Sequence, residues 1–413
     1  MGTNISLNNK EALKTNAAIF FALLMLAGFL FSRAMLSTGI IAFGVIGVFG
    51  VHPRQWFKSK WWLWGLLWVG VYFLSGLWSD YMSGWGGRVG VKLPILLLPL
   101  AFSLMPGFSN KQKTVFTIGA AVLFLSGVFY SISFLIADPA YYIEGYRLSK
   151  VLPTLAQHDY IRYSLSISLF VIWCLAVWPK LVIRVAKWFI AATIVLLVFY
   201  IHIIAVKTGV LALYTFVICW GFYTILQKRV IVGIGLILFL ILAAVGAYQY
   251  IPTFENKVDY FRYSWEVLEQ GHYDSNYSDI GRLVSYDVTR RILPEHLLYG
   301  TGVGDLYDEM CKGYDEYYPK VPDSQKLVPH NQFMVVALGC GIPTLVLFVI
   351  WVFFPLTWVK KSRDGFFLFA VWVIMFIPLM VEPFLELQFG VYVYLFYILW
   401  FAHNLKPQKT VEQ

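Results

Sequence analysis

Three residues in a largely apolar chain have side chains suited to a group-transfer reaction: His330, Arg282 and Lys207. A histidine titrates near neutral pH, so His330 could accept the proton of an attacking hydroxyl group. Fixed cations such as Arg282 and Lys207 could stabilise the charge of a diphosphate leaving group. Each residue also has a plain structural alternative, since an interfacial histidine can simply make hydrogen bonds.

Further ionisable residues lie within or beside apolar segments, namely Lys92, Arg162, Glu382 and Glu386. A charge inside a membrane costs roughly 2.5–3.5 kcal/mol on insertion scales and usually marks a site or a pair. The two cations could instead reach the headgroups along their flexible stems, and the two acids could be their structural partners. Taken together, the charges predict a cationic cavity for an anionic lipid headgroup, a diphosphate above all.

Composition places these residues in a membrane protein. Only 13% of the 413 residues are charged and 59% are hydrophobic, whereas a soluble domain has about 25% charged residues. We predict an all-α, polytopic fold with one domain over residues 1–413. A spanning helix needs about 20 mostly apolar residues. The predicted spans lie near 16–32, 34–51, 61–78, 89–106, 114–136, 159–178, 186–206, 209–226, 230–249, 332–357, 365–383 and 388–403.

Basic residues predict the orientation of these twelve spans. Every second connection is rich in Lys and Arg, as are the sequences near both termini. By the positive-inside rule both termini are cytoplasmic, and the long polar loop 250–329 between spans nine and ten faces outward. Lys92, Arg162, Lys207, Glu382 and Glu386 then fall in the outward half, and His158, Asp159 and His330 lie at outward helix ends. The basic clusters alternate with the spans, so the net charge of +9 does not indicate nucleic acid binding.

The long loop has helical patterns of its own. Val258, Phe261, Trp265 and Leu268 recur at spacings of three and four, which predicts an amphipathic helix. A second helix is expected from the N-cap Ser278 as far as Pro294, and a third over 305–318. The run 300–304, which reads Gly-Thr-Gly-Val-Gly, is expected to be a flexible turn.

Other chemistries find little support. Gly300 and Gly302 lack the third glycine of a dinucleotide-binding turn, because Asp305 stands there. The four cysteines show neither zinc nor disulfide spacing. The acidic residues Asp274, Asp279, Asp305 and Glu309 could hold a divalent ion, but no spacing requires it. We therefore expect neither a metal nor a cofactor.

Several short motifs resemble those of the O-antigen ligase and polymerase superfamily of bacterial membrane glycosyltransferases. Lys207-Thr208-Gly209 falls where many members have a Ser-Arg-Gly turn, and Arg291 precedes Gly302 in an Arg-x10-Gly pattern. The remaining motifs are Ser278-Asp279-Ile280-Gly281-Arg282, Pro294, Gly300 to Gly304, Pro329-His330-Asn331-Gln332-Phe333, Gly339, Gly341, Ile342 and Glu382 to Gly390.

This resemblance implies a metal-independent O-antigen ligase in the bacterial inner membrane with a periplasmic site. Its donor would be a glycan on undecaprenyl diphosphate and its acceptor a lipid A-core glycolipid. The resemblance assigns His330 as the base, Arg282 as one cation and Lys207 in place of a second arginine. Lysine keeps the charge but loses the two-pronged geometry of arginine. Residues expected to help bind substrate are Arg88, Lys92, Arg162, Arg291, Glu382 and Glu386.

Two other functions remain open. The acceptor could be another lipid-linked repeat, which would make the protein a polysaccharide polymerase with the same chemistry. A transporter of lipid-linked glycans is the third possibility. It would be expected to have charges along the full depth of the spans and related halves, whereas these charges favour one face.

Overall fold

The computed structural model describes residues 2–148, 150–156, 159–269 and 278–405, and all the regular structure in this part of the chain is helical. The helices are α1 (Gly2–Phe31), α2 (Arg33–Val48), α3 (Lys60–Leu74), α4 (Met82–Leu104), α5 (Asn110–Ala137), α6 (Pro139–Gly145), α7 (Tyr160–Val177), α8 (Arg184–Ile204), α9 (Lys207–Leu226), α10 (Val230–Tyr250), α11 (Pro252–Glu269), α12 (Ser278–Ile292), α13 (Leu306–Tyr317), α14 (Gln332–Phe353), α15 (Arg363–Val381) and α16 (Gln388–Leu405). Short 3-10 turns join several of them.

The protein is an all-α polytopic membrane protein, as the composition predicts. In the described ranges, nine helices are long and apolar enough to cross a membrane: α1, α4, α5, α7, α8, α9, α10, α14 and α15. The three other predicted spans coincide with α2, α3 and α16, which are shorter or less apolar. The count of twelve spans stays a prediction.

Two helices form the centre of the bundle. Most of α7 and nearly all of α16 are buried, because both are apolar around their whole circumference. They are joined by a hydrogen bond in which the Tyr397 hydroxyl donates to the Ser166 carbonyl at 2.9 Å. By contrast, α10 exposes most of its apolar side chains, as a helix facing lipid would. The charged residues near the N-terminus of α7 therefore lie beside the best-packed part of the molecule.

The polar segment between α10 and α14 contains all three expected helices, α11, α12 and α13. The predicted positions Val258 and Phe261 lie on α11. We call the side of the bundle where α10 ends and α14 begins the loop face. One face of α12 packs on α13 and α14 through side chains four residues apart, Ile280, Val284 and Val288.

The helix α14 is broken at Gly341, which has a φ of 82°. The backbone N–H of Ile342 does not bond to the carbonyl four residues earlier in the helix. It donates instead to the Leu297 carbonyl at 2.7 Å. Pro343 has no N–H, so the Gly339 carbonyl one turn earlier has no donor within the helix. A Cβ at Gly341 would lie 2.2 Å from the Leu298 carbonyl oxygen, so only glycine fits here.

The turn at 300–304 supplies the donors that this break requires. The backbone N–H of Thr301 donates to the Leu338 carbonyl at 2.8 Å, and that of Gly302 donates to the Gly339 carbonyl at 3.1 Å. A Cβ at Gly300 would lie 2.4 Å from the backbone nitrogen of Cys340. The expectation of a flexible turn is therefore wrong, because residues 301–304 are buried and hydrogen-bonded to α14 and to the end of α3.

Candidate functional site

Two arginines from different helices meet at Glu382, in the connection between α15 and α16. Its Oε1 lies 3.2 Å from Nη2 of Arg282, in the first turns of α12. Its Oε2 lies 3.0 Å from Nη2 of Arg162, in the first turn of α7, which also pairs with the N-cap residue Asp159 at 3.4 Å. One carboxylate therefore orients two cations at the loop face.

A cavity of about 230 Å³ lies beside this pair. Arg282, Lys207 and Glu382 all line it, although they come from α12, α9 and the α15–α16 connection. Its other polar lining residues are Lys257 and Tyr260 of α11, Thr208 of α9 and Tyr160 of α7. Three cations and one carboxylate make the lining net positive, as a site for a multivalent anion requires.

Lys207 occupies this position because the chain turns sharply just before α9. Ala205 has a φ of 47°, a left-handed conformation that ends α8 and lets α9 start two residues later. The Lys207 ammonium lies 4.3 Å from the centre of the Phe261 ring on α11, within the range of a cation–π contact. Lys207 and Lys257 also line a second, mostly apolar cavity of about 250 Å³ between α9 and α11. The cationic cavity thus adjoins an apolar space.

His330 is held by its backbone against α12. Its N–H donates to Ser285 Oγ at 3.2 Å, and the Tyr286 hydroxyl donates to its carbonyl oxygen at 2.9 Å. Ser285 in turn donates to the Arg282 carbonyl at 2.7 Å. These bonds couple the position of His330 to the helix turn that carries Arg282.

The ring of His330 has a defined tautomer and a perturbed pKa. Its Nδ1 lies 3.1 Å from the Val328 carbonyl oxygen, and a carbonyl only accepts, so Nδ1 carries the proton and Nε2 keeps its lone pair. Burial lowers the pKa of His330 below its usual value. The Val328 hydrogen bond and Glu382 raise this pKa, whereas Arg282 and Arg162 lower it. The ring is therefore neutral at pH 7, as a general base must be.

A second charged cluster surrounds Glu386. Its Oε1 accepts from Lys92 Nζ at 2.8 Å and from Gln332 Nε2 at 2.9 Å, and its Oε2 lies 3.2 Å from Arg88 Nη1. Lys92 and Glu386 are almost completely buried. Burial raises the pKa of Glu386, but Lys92 and Arg88 outweigh it, so the pKa lies below its usual value.

These contacts decide between the alternatives for the charges in the apolar segments. Lys92 and Arg162 are buried and paired with Glu386 and Glu382, so they do not reach the headgroups along their stems. Neither of these two cations lines the cavity, and Arg291 is not brought to it either. Nine residues beyond Arg282 on α12, it pairs with Asp287 at 2.6 Å. Its substrate-binding role stays a prediction. His158 lies outside the described residues.

The three residues Lys207, Arg282 and His330 lie in a region of the chain that is similar to a known protein family. Residues 192–349 match the family model described as O-Antigen ligase. The resemblance to the O-antigen ligase superfamily is thereby confirmed. The matched region runs from α8 into α14, so it includes Lys207, Arg282 and His330. No curated protein matches the chain.

The family comprises O-antigen ligases and polymerases, which are membrane glycosyltransferase-like enzymes acting on lipid-linked glycans and glycolipids. The match to this family, together with the long apolar helices, indicates a multi-pass bacterial membrane protein. Within the described residues, no three His, Cys, Asp or Glu side chains come together as metal ligands. Lys257 and Tyr160 were missed from the sequence, where neither lies in a motif.

Proposed function

We propose that the protein is an O-antigen ligase-type glycosyltransferase. It moves a glycan from undecaprenyl diphosphate to a lipid A-core acceptor on the periplasmic side of the inner membrane, with both termini cytoplasmic. The observation that carries the proposal is the shared cavity of Lys207 and Arg282, with neutral His330 tied to the same turn of α12. A base beside a cationic cavity is what displacement of a diphosphate requires.

In the proposed reaction, the acceptor hydroxyl oxygen attacks the anomeric carbon of the donor sugar. The bond between that carbon and the diphosphate oxygen breaks, and its electron pair leaves with the diphosphate. His330 Nε2 takes the hydroxyl proton, while Arg282 and Lys207 stabilise the charge on the leaving group. Direct displacement inverts the anomeric configuration, and no step uses a metal.

The neighbouring residues have supporting roles in this proposal. Glu382 holds Arg282 and Arg162 at fixed distances, so the guanidinium groups need little reorganisation when the diphosphate arrives. Lys257 adds a third cation to the cavity lining. The apolar space between α9 and α11 accommodates the first isoprene units of the donor next to its diphosphate.

The test is transfer by purified protein with a lipid-diphosphate-linked glycan and a lipid A-core acceptor. His330→Ala and Arg282→Ala should each lower kcat by on the order of 10²–10³-fold. Arg290→Ala is the matched control, since Arg290 lies on the same helix and is largely exposed. Full activity in both site variants would refute the assignment. Efficient transfer only to a second lipid-linked repeat would identify a polymerase.

A further inference from the structure

A third cavity lies at the loop face between α2 and α4, away from the cationic cavity. It has a volume of about 480 Å³, and we call it the α2–α4 groove. Arg33, Ser37 and Ile41 line it from α2, Gly90 and Leu93 line it from α4, and Glu386 lies at its upper end. The groove is therefore polar at the loop face and apolar deeper in the bundle.

The shape of the groove depends on the distance between α2 and α4, which differs along their length. Deep in the bundle, a Cβ added to Gly44 would lie 2.4 Å from Leu97, and one added to Gly47 would lie 2.6 Å from Ala101. The two helices touch there. Near the loop face, a Cβ added to Gly90, Gly86 or Gly87 would meet nothing within 4 Å. The helices are thus separated at this end, and the space opens sideways.

The upper end of the groove carries a net positive charge. Arg33 lies at the start of α2, and Arg88 and Lys92 both contact Glu386. This cluster contains three cations and one carboxylate, of which only Arg33 and Glu386 line the groove. Ser37 Oγ accepts a hydrogen bond from Gln388 Nε2 at 2.7 Å, which ties the start of α2 to the start of α16. Positive charge above an apolar trough matches an anionic headgroup with its acyl chain below.

The groove is connected to the proposed catalytic base through one short path. Glu386 accepts a hydrogen bond from Gln332, which is fully buried and lies two residues after His330. Glu382, four residues before Glu386, lines the cationic cavity on the other side. The segment between these two glutamates therefore separates the two cavities.

We infer that the α2–α4 groove binds the anionic lipid anchor of the acceptor substrate. This inference rests on the proposed function, since a transfer between two lipid-linked molecules needs two membrane-facing sites. The donor occupies the cavity of Lys207 and Arg282. The acceptor lies in the groove with its phosphate near Arg33, and its sugar extends along the loop face towards His330.

A lipid-binding experiment can test whether the groove binds an anionic lipid, and it does not require transfer activity. Purified protein in mixed micelles of phosphatidylglycerol and phosphatidylcholine is analysed for retained lipid by native mass spectrometry. Gly90→Trp adds an indole ring to the groove at a position where a Cβ meets nothing within 4 Å. It should weaken phosphatidylglycerol retention on the order of tenfold, the factor expected when about two methylene groups lose their contacts. Arg33→Ala should remove the preference for phosphatidylglycerol over phosphatidylcholine.

The matched control is Gly235→Trp on α10. A Cβ at Gly235 also meets nothing within 4 Å, so the control adds the same side chain to another exposed helix surface. Retention should equal that of the unchanged protein. Equal retention in Gly90→Trp and Gly235→Trp would overturn the inference.

Two-substrate kinetics then identify which substrate uses the groove. Gly90→Trp should raise the KM for the acceptor on the order of tenfold and leave the KM for the donor unchanged. A raised donor KM would assign the groove to the donor and refute the inference. If the unchanged protein transfers nothing but retains phosphatidylglycerol in the groove, the proposed function fails and the anionic lipid site stands.

Discussion

Replacing Glu386 by glutamine should strongly destabilise the protein, because Glu386 and its partner Lys92 are almost completely shielded from water. Glu386 and Lys92 are 6% and 0% exposed, and their charged atoms are 2.8 Å apart. Glu386→Gln leaves the Lys92 ammonium buried without a carboxylate. Removing one partner of a buried pair costs about 3–5 kcal/mol. Lys92→Met should cost less, about 1–2 kcal/mol, since Arg88 and Gln332 still contact Glu386.

The double variant Lys92→Met/Glu386→Gln distinguishes this reasoning from simple loss of contacts. Within this cluster it leaves no unpaired buried charge apart from Arg88, which is 19% exposed and can reach water. It should be more stable than Glu386→Gln alone by at least about 2 kcal/mol. Reversible unfolding in SDS measures each free energy of unfolding. Glu309→Gln is the control, because its partner Lys312 is largely exposed, and it should cost less than about 1 kcal/mol. Additive losses in the double variant would refute the reasoning.

Three further predictions concern the proposed site. Burial holds the pKa of His330 below 6.5, so the transfer rate should fall to half only at a pH below that value. Arg162→Gln removes a cation that lowers this pKa and should move the midpoint up. Glu382→Gln should move it down, and a shift of both in one direction contradicts the electrostatic account. Lys207→Met should lower kcat on the order of 10²–10³-fold while Lys207→Arg retains most activity; equal rates in the two would remove Lys207 from the mechanism. Saturating EDTA should leave the rate unchanged, and a loss that Mg²⁺ restores would contradict a metal-independent reaction.

Local sequence patterns predict the helices of the polar segment well. The positions of Val258 and Phe261, the predicted N-cap Ser278 and the breaker Pro294 locate α11 and α12, since each acts within a few residues. Lys207 was singled out by its charge beside apolar spans and Arg282 by its place at the start of a loop helix and by the resemblance, and both line one cavity. Such charges are costly enough to be informative without any tertiary structure.

Long-range contacts account for what the sequence does not reveal. Lys257 lies on an amphipathic helix among ordinary polar residues, and only the packing of α11 over α9 brings it to the cavity. The turn at 300–304 has the composition of a mobile loop. It is buried because Pro343 leaves a carbonyl in α14 without a donor, a requirement set by a distant part of the chain.

The hydrogen bonds between this turn and the break in α14 also define which segment can be exchanged with a relative. Leu297, Thr301 and Gly302 bond directly to residues 338–342. A chimera that replaces only the polar segment 250–329 would cut through this interface and leave the carbonyls of the broken helix facing a foreign turn. A graft from 278 to 343 keeps both halves together and carries Arg282 and His330 with them. The natural building block of the site therefore crosses the boundary between loop and membrane helix.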